Sequence, residues 1–271
     1  MAALRRNNVK LSGNGTVPML FAHGFGCDQH MWRWVTPAFE LSHRLVLFDH
    51  VGAGGSDLAA YDRSKYGTLA GYADDVLEIC AELDLQDAVF VGHSVSAMIG
   101  VLAAVREPRH FSHLVLLGPS PRYLNDGDYV GGFTREEIDQ LLSLLETNHQ
   151  GWSVAMAPVI MGAQDSSEPA QELTNSFCRT DPVIARDFAR VVFLSDNRAD
   201  LPRLHTPTLI LQCRDDAIAP LAVGTYVHRH VAGSQLQVLD ANGHCPHISS
   251  PQETVAAIKA YLARTAAPQV S

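Results

Sequence analysis

The residue of this chain best suited to chemistry is a serine between an apolar run and a helical pattern of small residues. Ser94 follows residues 89–93. A sharp strand-to-helix turn would project its hydroxyl into a crevice, and such a turn requires small residues two positions on either side. Gly92 fills one of these positions, and Ser96 stands where the usual pattern has a second glycine. The segment predicts Ser94 as a nucleophile, and the alternative is a serine that only caps a helix.

Two later segments contain the groups that a nucleophilic serine needs. A serine hydroxyl attacks when a base takes its proton, and a third group must orient that base. Asp215 and Asp216 follow one apolar run, and His244 and His247 follow the next. Both segments come after the carboxyl ends of predicted parallel strands, where catalytic groups of open α/β sheets collect. The order serine, aspartate, histidine along the chain also fits a serine on such a turn.

Within each pair, the local sequence favours one residue. His244 directly follows a glycine at the exit of a strand, whereas His247 lies three residues further on, past a proline. Asp216 is preferred over Asp215 because it directly precedes the turn into residues 218–220. A carboxylate there would fix the imidazole tautomer and stabilise its protonated form. We therefore predict a catalytic triad of Ser94, Asp216 and His244, in which the histidine is the general base.

A glycine-rich loop near the N-terminus follows the apolar run 17–22. Such a loop can place a backbone N–H where a tetrahedral oxyanion forms. We predict an oxyanion hole built from the amides of Phe25 and Val95, the second at the positive end of the helix after Ser94. The alternative for this loop is an ordinary tight turn.

Two other motifs could indicate a bound metal or nucleotide. Residues 244–247 contain two histidines and a cysteine, which are zinc ligands, but no further pair lies at zinc-site spacing. Residues 49–56 are rich in glycine but lack the full dinucleotide spacing and a lysine for phosphates. We predict no metal and no cofactor, and we interpret residues 49–56 as a turn that supports the site.

Composition limits the classes of partner. The formal net charge is −9, and no lysine or arginine cluster exceeds Arg5–Arg6, which argues against a nucleic-acid partner. No run of 18 apolar residues occurs, so no membrane span is expected. The five cysteines are scattered and odd in number. They favour reduced thiols in a cytoplasmic protein.

Short apolar runs alternate with helical patterns, which is typical of a parallel sheet covered by helices. The predicted strands cover residues 17–22, 44–49, 88–92, 113–117, 208–213 and 235–240, and the flanking helices include 69–83, 94–106 and 251–263. The alternation stops between residues 121 and 201, where four helical stretches occur at 134–148, 152–161, 169–178 and 182–193. We predict an α/β core formed by residues 1–120 and 202–265, a helical cap at 121–201 and a loose tail at 266–271.

The cap contributes large apolar side chains above the predicted nucleophile. We predict a substrate pocket lined by six residues: Phe25 and His93 from the core, and Phe133, Trp152, Met156 and Phe193 from the cap. A pocket of this composition would admit a small, mostly hydrophobic ligand.

Several longer motifs resemble one known family. They are HGFGCDQ at 23–29, GHSVSAMIG at 92–100, SPRYLND at 120–126, TDPVIAR at 180–186 and GHCPH at 243–247. On these motifs the chain resembles the RsbQ-like α/β-hydrolases, bacterial regulators of the sigma-B energy-stress response, and the related plant strigolactone and karrikin receptors. Residues 92–96 are more similar to the plant receptors, and residues 180–186 and 243–247 to the bacterial regulators.

The resemblance implies an α/β-hydrolase fold, with a four-helix cap inserted after the sixth strand over a deep hydrophobic pocket. It implies the same triad of Ser94, Asp216 and His244. It also implies slow hydrolysis of a small apolar ligand, coupled to signalling through a protein partner, which in the bacterial branch is a PAS-domain phosphatase.

Two functions of different classes therefore stay open. The first is an esterase that cleaves a small hydrophobic ester or lactone through an acyl-serine intermediate. The second is a ligand receptor with slow turnover whose output is the binding of a partner. A cofactor-free haloperoxidase or a carbon–carbon hydrolase would use the same triad.

Overall fold

The computed structural model describes residues 2–162 and 167–266, with a seven-stranded sheet at the centre. The strands are β1 (Lys10–Ser12), β2 (Val17–Ala22), β3 (His43–Phe48), β4 (Ala88–His93), β5 (Phe111–Leu117), β6 (Thr208–Asp215) and β7 (Gln235–Asn242). Their spatial order is β1-β3-β2-β4-β5-β6-β7. β1 pairs antiparallel with β3, and the remaining pairs are parallel. The predicted mostly parallel sheet is confirmed.

Helices cover both faces of the sheet. They are α1 (Ala2–Arg6), α2 (Arg63–Tyr66), α3 (Leu69–Glu82), α4 (Val95–Arg106), α5 (Arg135–Thr147), α6 (His149–Met161), α7 (Glu168–Arg179), α8 (Pro182–Leu194), α9 (Leu221–His230), α10 (Pro246–Ser249) and α11 (Pro251–Ala266). Two apolar cores result, a larger one that continues into the segment between β5 and β6, and a smaller one on the opposite face. Because both faces are covered, central β4 is buried at every residue.

Strand β1 is not among the strands predicted from the sequence. Its three residues are all exposed, and they are too few for their polar–apolar–polar order to indicate a strand. What makes this segment a strand is its pairing with β3, in which Leu11 lies opposite Val46. An edge strand that buries no side chain leaves no apolar pattern in the sequence.

The four helices α5 to α8 lie between β5 and β6. Thr134 begins α5 with a capping box that involves Glu137, and Asp181 caps α8 by accepting the amides of Val183 and Ile184. The resemblance implied an insertion after the sixth strand, but the insertion follows β5, the fifth described strand. The count is lower by one because a single strand, β1, precedes β2 in the described chain.

Polar contacts join this helical segment to the sheet domain. The hydroxyl of Ser176 on α7 donates to the carbonyl of Gly26 at 2.7 Å. Arg63 forms an ion pair with Asp187 on α8 at 2.9 Å. Helix α11 extends to Ala266, and the rest of the predicted tail lies outside the described residues. None of the described helices has the length and apolar character needed to cross a membrane.

Candidate active site

The turn between β4 and α4 presents Ser94 at the carboxyl edge of the sheet. Ser94 has φ +57° and ψ −121°, a left-handed conformation that costs a side-chain-bearing residue about 1–3 kcal/mol. The turn persists because the Ser94 amide donates to the Leu117 carbonyl on β5 at 2.8 Å. A side chain at Gly92 would come within 2.6 Å of the Ser96 carbonyl oxygen. The need for a small residue before the serine is therefore a direct steric consequence of the turn.

Ser96 uses its hydroxyl to hold the turn together. It donates to the carbonyl of His23, and it lies 2.7 Å from Nε2 of His50. Because the hydroxyl proton goes to the carbonyl, Nε2 of His50 must carry the proton of the second hydrogen bond. The departure from glycine at this position thus connects the turn to the loops after β2 and β3. The sequence showed the departure but not its partners.

The structure brings Ser94, His244 and Asp216 into one hydrogen-bonded chain. His244 Nε2 lies 2.7 Å from Ser94 Oγ, and His244 Nδ1 lies 2.7 Å from Asp216 Oδ2. All three side chains are buried. Asp216 follows β6 and His244 follows β7, so both come from the same edge of the sheet as the serine. This geometry allows the imidazole to take a proton from the hydroxyl while the carboxylate holds the opposite N–H.

Four hydrogen bonds orient the Asp216 carboxylate. Its Oδ1 accepts the amides of Ile218 at 2.8 Å and Ala219 at 2.9 Å, and its Oδ2 accepts Gln212 Nε2 at 3.2 Å in addition to His244. Asp215, the alternative, is exposed. The turn at residues 218–220 therefore supplies the donors that make one carboxylate of the pair fit the histidine.

The second histidine of the pair lies beside the triad but forms no side-chain hydrogen bond with the serine. The His247 ring packs 4.6 Å from Trp32 and 4.4 Å from His93. Neither of its ring nitrogens has a hydrogen-bond partner among the described residues. Burial lowers the pKa of His247 to about 3, so its ring is neutral at physiological pH. His247 therefore packs as an uncharged core residue.

His93 holds the backbone of His244 in place through a hydrogen bond. Its Nε2 donates to the backbone carbonyl of His244 at 2.8 Å, and burial keeps the pKa of His93 well below its usual value. A neutral His93 avoids a second positive charge beside the imidazolium that forms when His244 takes a proton. His93 also contributes to the wall of the cavity.

Two backbone amides are free to bind an oxyanion. Val95 is the first residue of α4, and such an amide has no acceptor within its own helix. Phe25 lies in the loop after β2, which packs so closely on His93 that a side chain at Gly24 would collide with the imidazole. Within the described chain, neither the Phe25 nor the Val95 amide donates a hydrogen bond. Both predicted donors are thus available next to the serine.

Ser94 lines a small apolar cavity, in which the space open to a water-sized molecule is about 30 Å³. Five of the six predicted pocket residues line it, namely Phe25, His93, Trp152, Met156 and Phe193. The remaining lining residues are Cys27, Ser94, Tyr123, Ile160, Leu173, Phe177, Val192, Ile218, His244 and Cys245. Aromatic rings from α6, α7 and α8 surround Phe25 at centroid distances of about 6 Å, which is why little space is left.

Phe133, the sixth predicted pocket residue, does not line this cavity. Its backbone pairs with the loop after β5, donating to Tyr123 at 3.1 Å and accepting from Asn125 at 2.8 Å. This pairing places its ring behind Phe193, 6.4 Å between centroids. The residue that this loop does place in the wall is Tyr123, which the sequence analysis did not single out.

Histidine, cysteine and carboxylate side chains are the candidate metal ligands in the described part of the chain. No group of three or more histidine, cysteine, aspartate or glutamate side chains is arranged there to hold an ion. The five cysteines are all free thiols. Cys245 is buried, and burial raises the pKa of its thiol well above the usual value, which opposes the thiolate form that metals bind.

Comparisons with known proteins agree with this architecture. Residues 19–258 match the model of the alpha/beta hydrolase family. The strigolactone esterase RMS3 of Pisum sativum is 41% identical over 246 residues, which are 90% of this chain and 92% of the relative. The karrikin insensitive 2 receptor CA of Petunia hybrida is 38% identical over 250 residues, 92% of this chain and 93% of the relative.

A solved structure extends the similarity to three dimensions. A hydrolase from Oleispira antarctica superimposes with a TM-score of 0.94 at 40% identity and covers 96% of both chains. The strained serine turn, the histidine and aspartate at one sheet edge, and the match over most of the length all agree. The chain belongs to the alpha/beta hydrolase family.

Proposed function

We propose that this protein hydrolyses a small, mostly apolar ester or lactone through an acyl intermediate on Ser94. The observation that carries the proposal is the continuous chain of hydrogen bonds from Ser94 through His244 to Asp216. Ser94 and His244 also line the apolar cavity. Relatives named as esterases support ester bonds as the class of bond that is cleaved.

The proposed reaction has two stages. His244 Nε2 takes the hydroxyl proton while Ser94 Oγ attacks the carbonyl carbon, and the oxyanion lies at the amides of Phe25 and Val95. The intermediate collapses, and the leaving oxygen takes its proton from the imidazolium. Water, activated by the same histidine, then releases the acid. Asp216 holds the imidazole in the required tautomer throughout.

The cavity suggests which substrates fit. The space beside Ser94 that is open to a water-sized molecule is only about 30 Å³, so a short acyl group is accommodated with less rearrangement than a long one. A larger ligand would have to displace aromatic side chains such as Trp152 on α6 or Phe177 on α7. We therefore propose short acyl groups or small lactones as the preferred substrates.

Hydrolysis of para-nitrophenyl acetate tests the proposal directly. Ser94→Ala removes the nucleophile and is expected to lower kcat by about 10³-fold or more. Ser143→Ala, an exposed serine on α5, is the matched control and is expected to match the wild type. Ser94→Ala with wild-type activity would contradict the proposal. A peroxide-dependent halogenation assay on the same samples addresses the alternative use of the triad.

A second candidate function is a ligand receptor with slow turnover. Two observations favour it: relatives are named as receptors, and a ligand that enters the nearly filled cavity would have to rearrange the helices above it. The resemblance to the RsbQ-like family adds the proposals of a cytoplasmic location, a role in stress signalling and a PAS-domain phosphatase partner.

Amide hydrogen exchange distinguishes the two candidate functions. Ligand binding to Ser94→Ala, which cannot turn over, is expected to change exchange in α5–α8 if the protein is a receptor. A purified PAS-domain phosphatase would then bind the liganded form more tightly than the free form. If amide exchange in α5–α8 is unchanged at saturating ligand, the receptor proposal is rejected and the esterase proposal is kept.

A further inference from the structure

The phenol of Tyr123 lies beside the nucleophile. Tyr123 is in the loop between β5 and α5, is 2% exposed, and packs its ring against Phe193 at 5.2 Å. Its hydroxyl lies 3.4 Å from Ser94 Oγ. This distance exceeds the usual range of about 2.5–3.0 Å for a hydrogen bond between two hydroxyls. The buried phenol therefore has no close acceptor among the described residues.

The direction of this weak contact follows from the triad. The Ser94 hydroxyl donates its hydrogen bond to His244 Nε2 at 2.7 Å. Toward the phenol, the Ser94 oxygen can therefore only accept a hydrogen bond. Burial raises the pKa of Tyr123 to about 12. The phenol consequently keeps its proton throughout the neutral range and stays a hydrogen-bond donor.

An ester brings two oxygen atoms to the serine, and the site contains three kinds of donor. The carbonyl oxygen becomes the oxyanion, for which the amides of Phe25 and Val95 are free. The alkoxy oxygen gains negative charge when its bond to carbon breaks, and His244 supplies its proton. A second donor at that oxygen would stabilise the charge before the proton arrives.

We propose that Tyr123 is a further catalytic residue, whose hydroxyl donates a hydrogen bond to the leaving oxygen of the ester. The inference rests on the proposed function. The bond from Ser94 Oγ to the acyl carbon forms, and the bond from that carbon to the alkoxy oxygen breaks. The electron pair stays on the leaving oxygen, whose proton is the one that His244 took from Ser94. Tyr123 keeps its own proton.

A series of acetate esters tests this role through kcat/KM, because acetyl-serine formation is the step that differs among them. We would compare the acetates of para-nitrophenol, phenol and ethanol with wild type and Tyr123→Phe. A poor leaving group needs the hydrogen bond most. The expected loss in the variant is about tenfold on ethyl acetate and less than about twofold on para-nitrophenyl acetate.

Tyr129→Phe is the matched control. Tyr129 belongs to the same loop and is also buried, but its hydroxyl donates to the Arg122 carbonyl at 2.7 Å. Its removal is expected to leave the dependence on the leaving group unchanged. Thermal unfolding of Tyr123→Phe should occur at or above the wild-type temperature, because the variant removes a buried hydroxyl that lacks a close partner.

The failures of the two proposals can be told apart. An equal loss on all three esters, or no loss on any, overturns the role of Tyr123 while hydrolysis through Ser94 stands. A Ser94→Ala variant as active as the wild type on these esters, or a wild type that hydrolyses none of them, overturns the proposed function and this inference with it.

Discussion

At the scale of single residues, the Asp216 carboxylate is the most tightly held group of the candidate site. It accepts hydrogen bonds from two backbone amides, from Gln212 and from His244. Each bond restricts its rotation, so the oxygen that faces the imidazole is fixed. A rigid acceptor at Nδ1 forces the histidine to present an unprotonated Nε2 to the serine.

Asp216→Asn tests this orientation. The amide preserves the shape, but it can donate to Nδ1 and so favours the wrong imidazole tautomer. We expect kcat for para-nitrophenyl acetate to fall by about 10³–10⁴-fold at neutral pH. Asp215→Asn, at the exposed neighbour, should retain wild-type kcat. Equal losses in the two variants would contradict the assignment of Asp216.

At the scale of elements, the end of α6 is joined directly to the loop that carries the base. The His244 amide donates to the Ile160 carbonyl at 2.6 Å, one of the last carbonyls of α6 and without an acceptor role inside the helix. Gly243 has φ +80°, and a side chain there would come within 2.2 Å of the Met161 carbonyl oxygen. The position of this helix and the position of the imidazole are therefore coupled through backbone contacts.

A pair of glycine variants measures this coupling. At Gly243 a methyl group would collide with the Met161 carbonyl, whereas at Gly233, with φ +72°, it would meet no atom within 4 Å. Both alanine variants strain the backbone by about 1–2 kcal/mol. We expect only Gly243→Ala to lower kcat/KM, by about tenfold or more, since a shift of the base by about 1 Å is costly.

Thermal unfolding of both glycine variants provides the control. The loss of stability in Gly233→Ala measures the backbone strain alone, and any further loss in Gly243→Ala measures the collision with the Met161 carbonyl. If Gly233→Ala then lost as much activity as Gly243→Ala, general destabilisation would explain the effect, and the contact with α6 would have no special part in catalysis.

At the scale of the whole molecule, burial of neutral histidines makes stability depend on pH. Burial lowers the pKa of His50, His93 and His247, the last to about 3. Well above pH 6.5 these rings are neutral in both the folded and the unfolded chain, so they add no pH dependence. Below pH 6.5 the unfolded chain binds protons that the folded chain does not, and the free energy of unfolding falls.

His247→Leu tests this linkage, because leucine fills a similar volume and does not titrate. Between pH 6.5 and about 3, His247 contributes a slope of up to about 1.4 kcal/mol per pH unit. We expect the slope in urea unfolding experiments to be smaller in the variant by about this amount. His228→Leu, at an exposed histidine, should keep the wild-type slope. An unchanged slope in His247→Leu would contradict a neutral buried ring.

The sequence by itself determined the parts of this protein that depend on near neighbours in the chain. Apolar runs located the six strands that carry buried side chains, and helical periodicity located the four helices between β5 and β6. The small residues around Ser94 indicated the strained turn, since that turn is a property of five consecutive residues. Turn chemistry also favoured Asp216 and His244 over their neighbours.

Only the tertiary structure decided what depends on packing between distant segments. His244 and Ser94 are 150 residues apart, and no local pattern encodes their separation of 2.7 Å. Strand β1 exists because β3 offers it a partner, and Phe133 stays out of the cavity because its backbone pairs with the loop that places Tyr123 there. Periodicity reports which face of an element is apolar, whereas the atoms that meet across two faces follow from how whole elements pack.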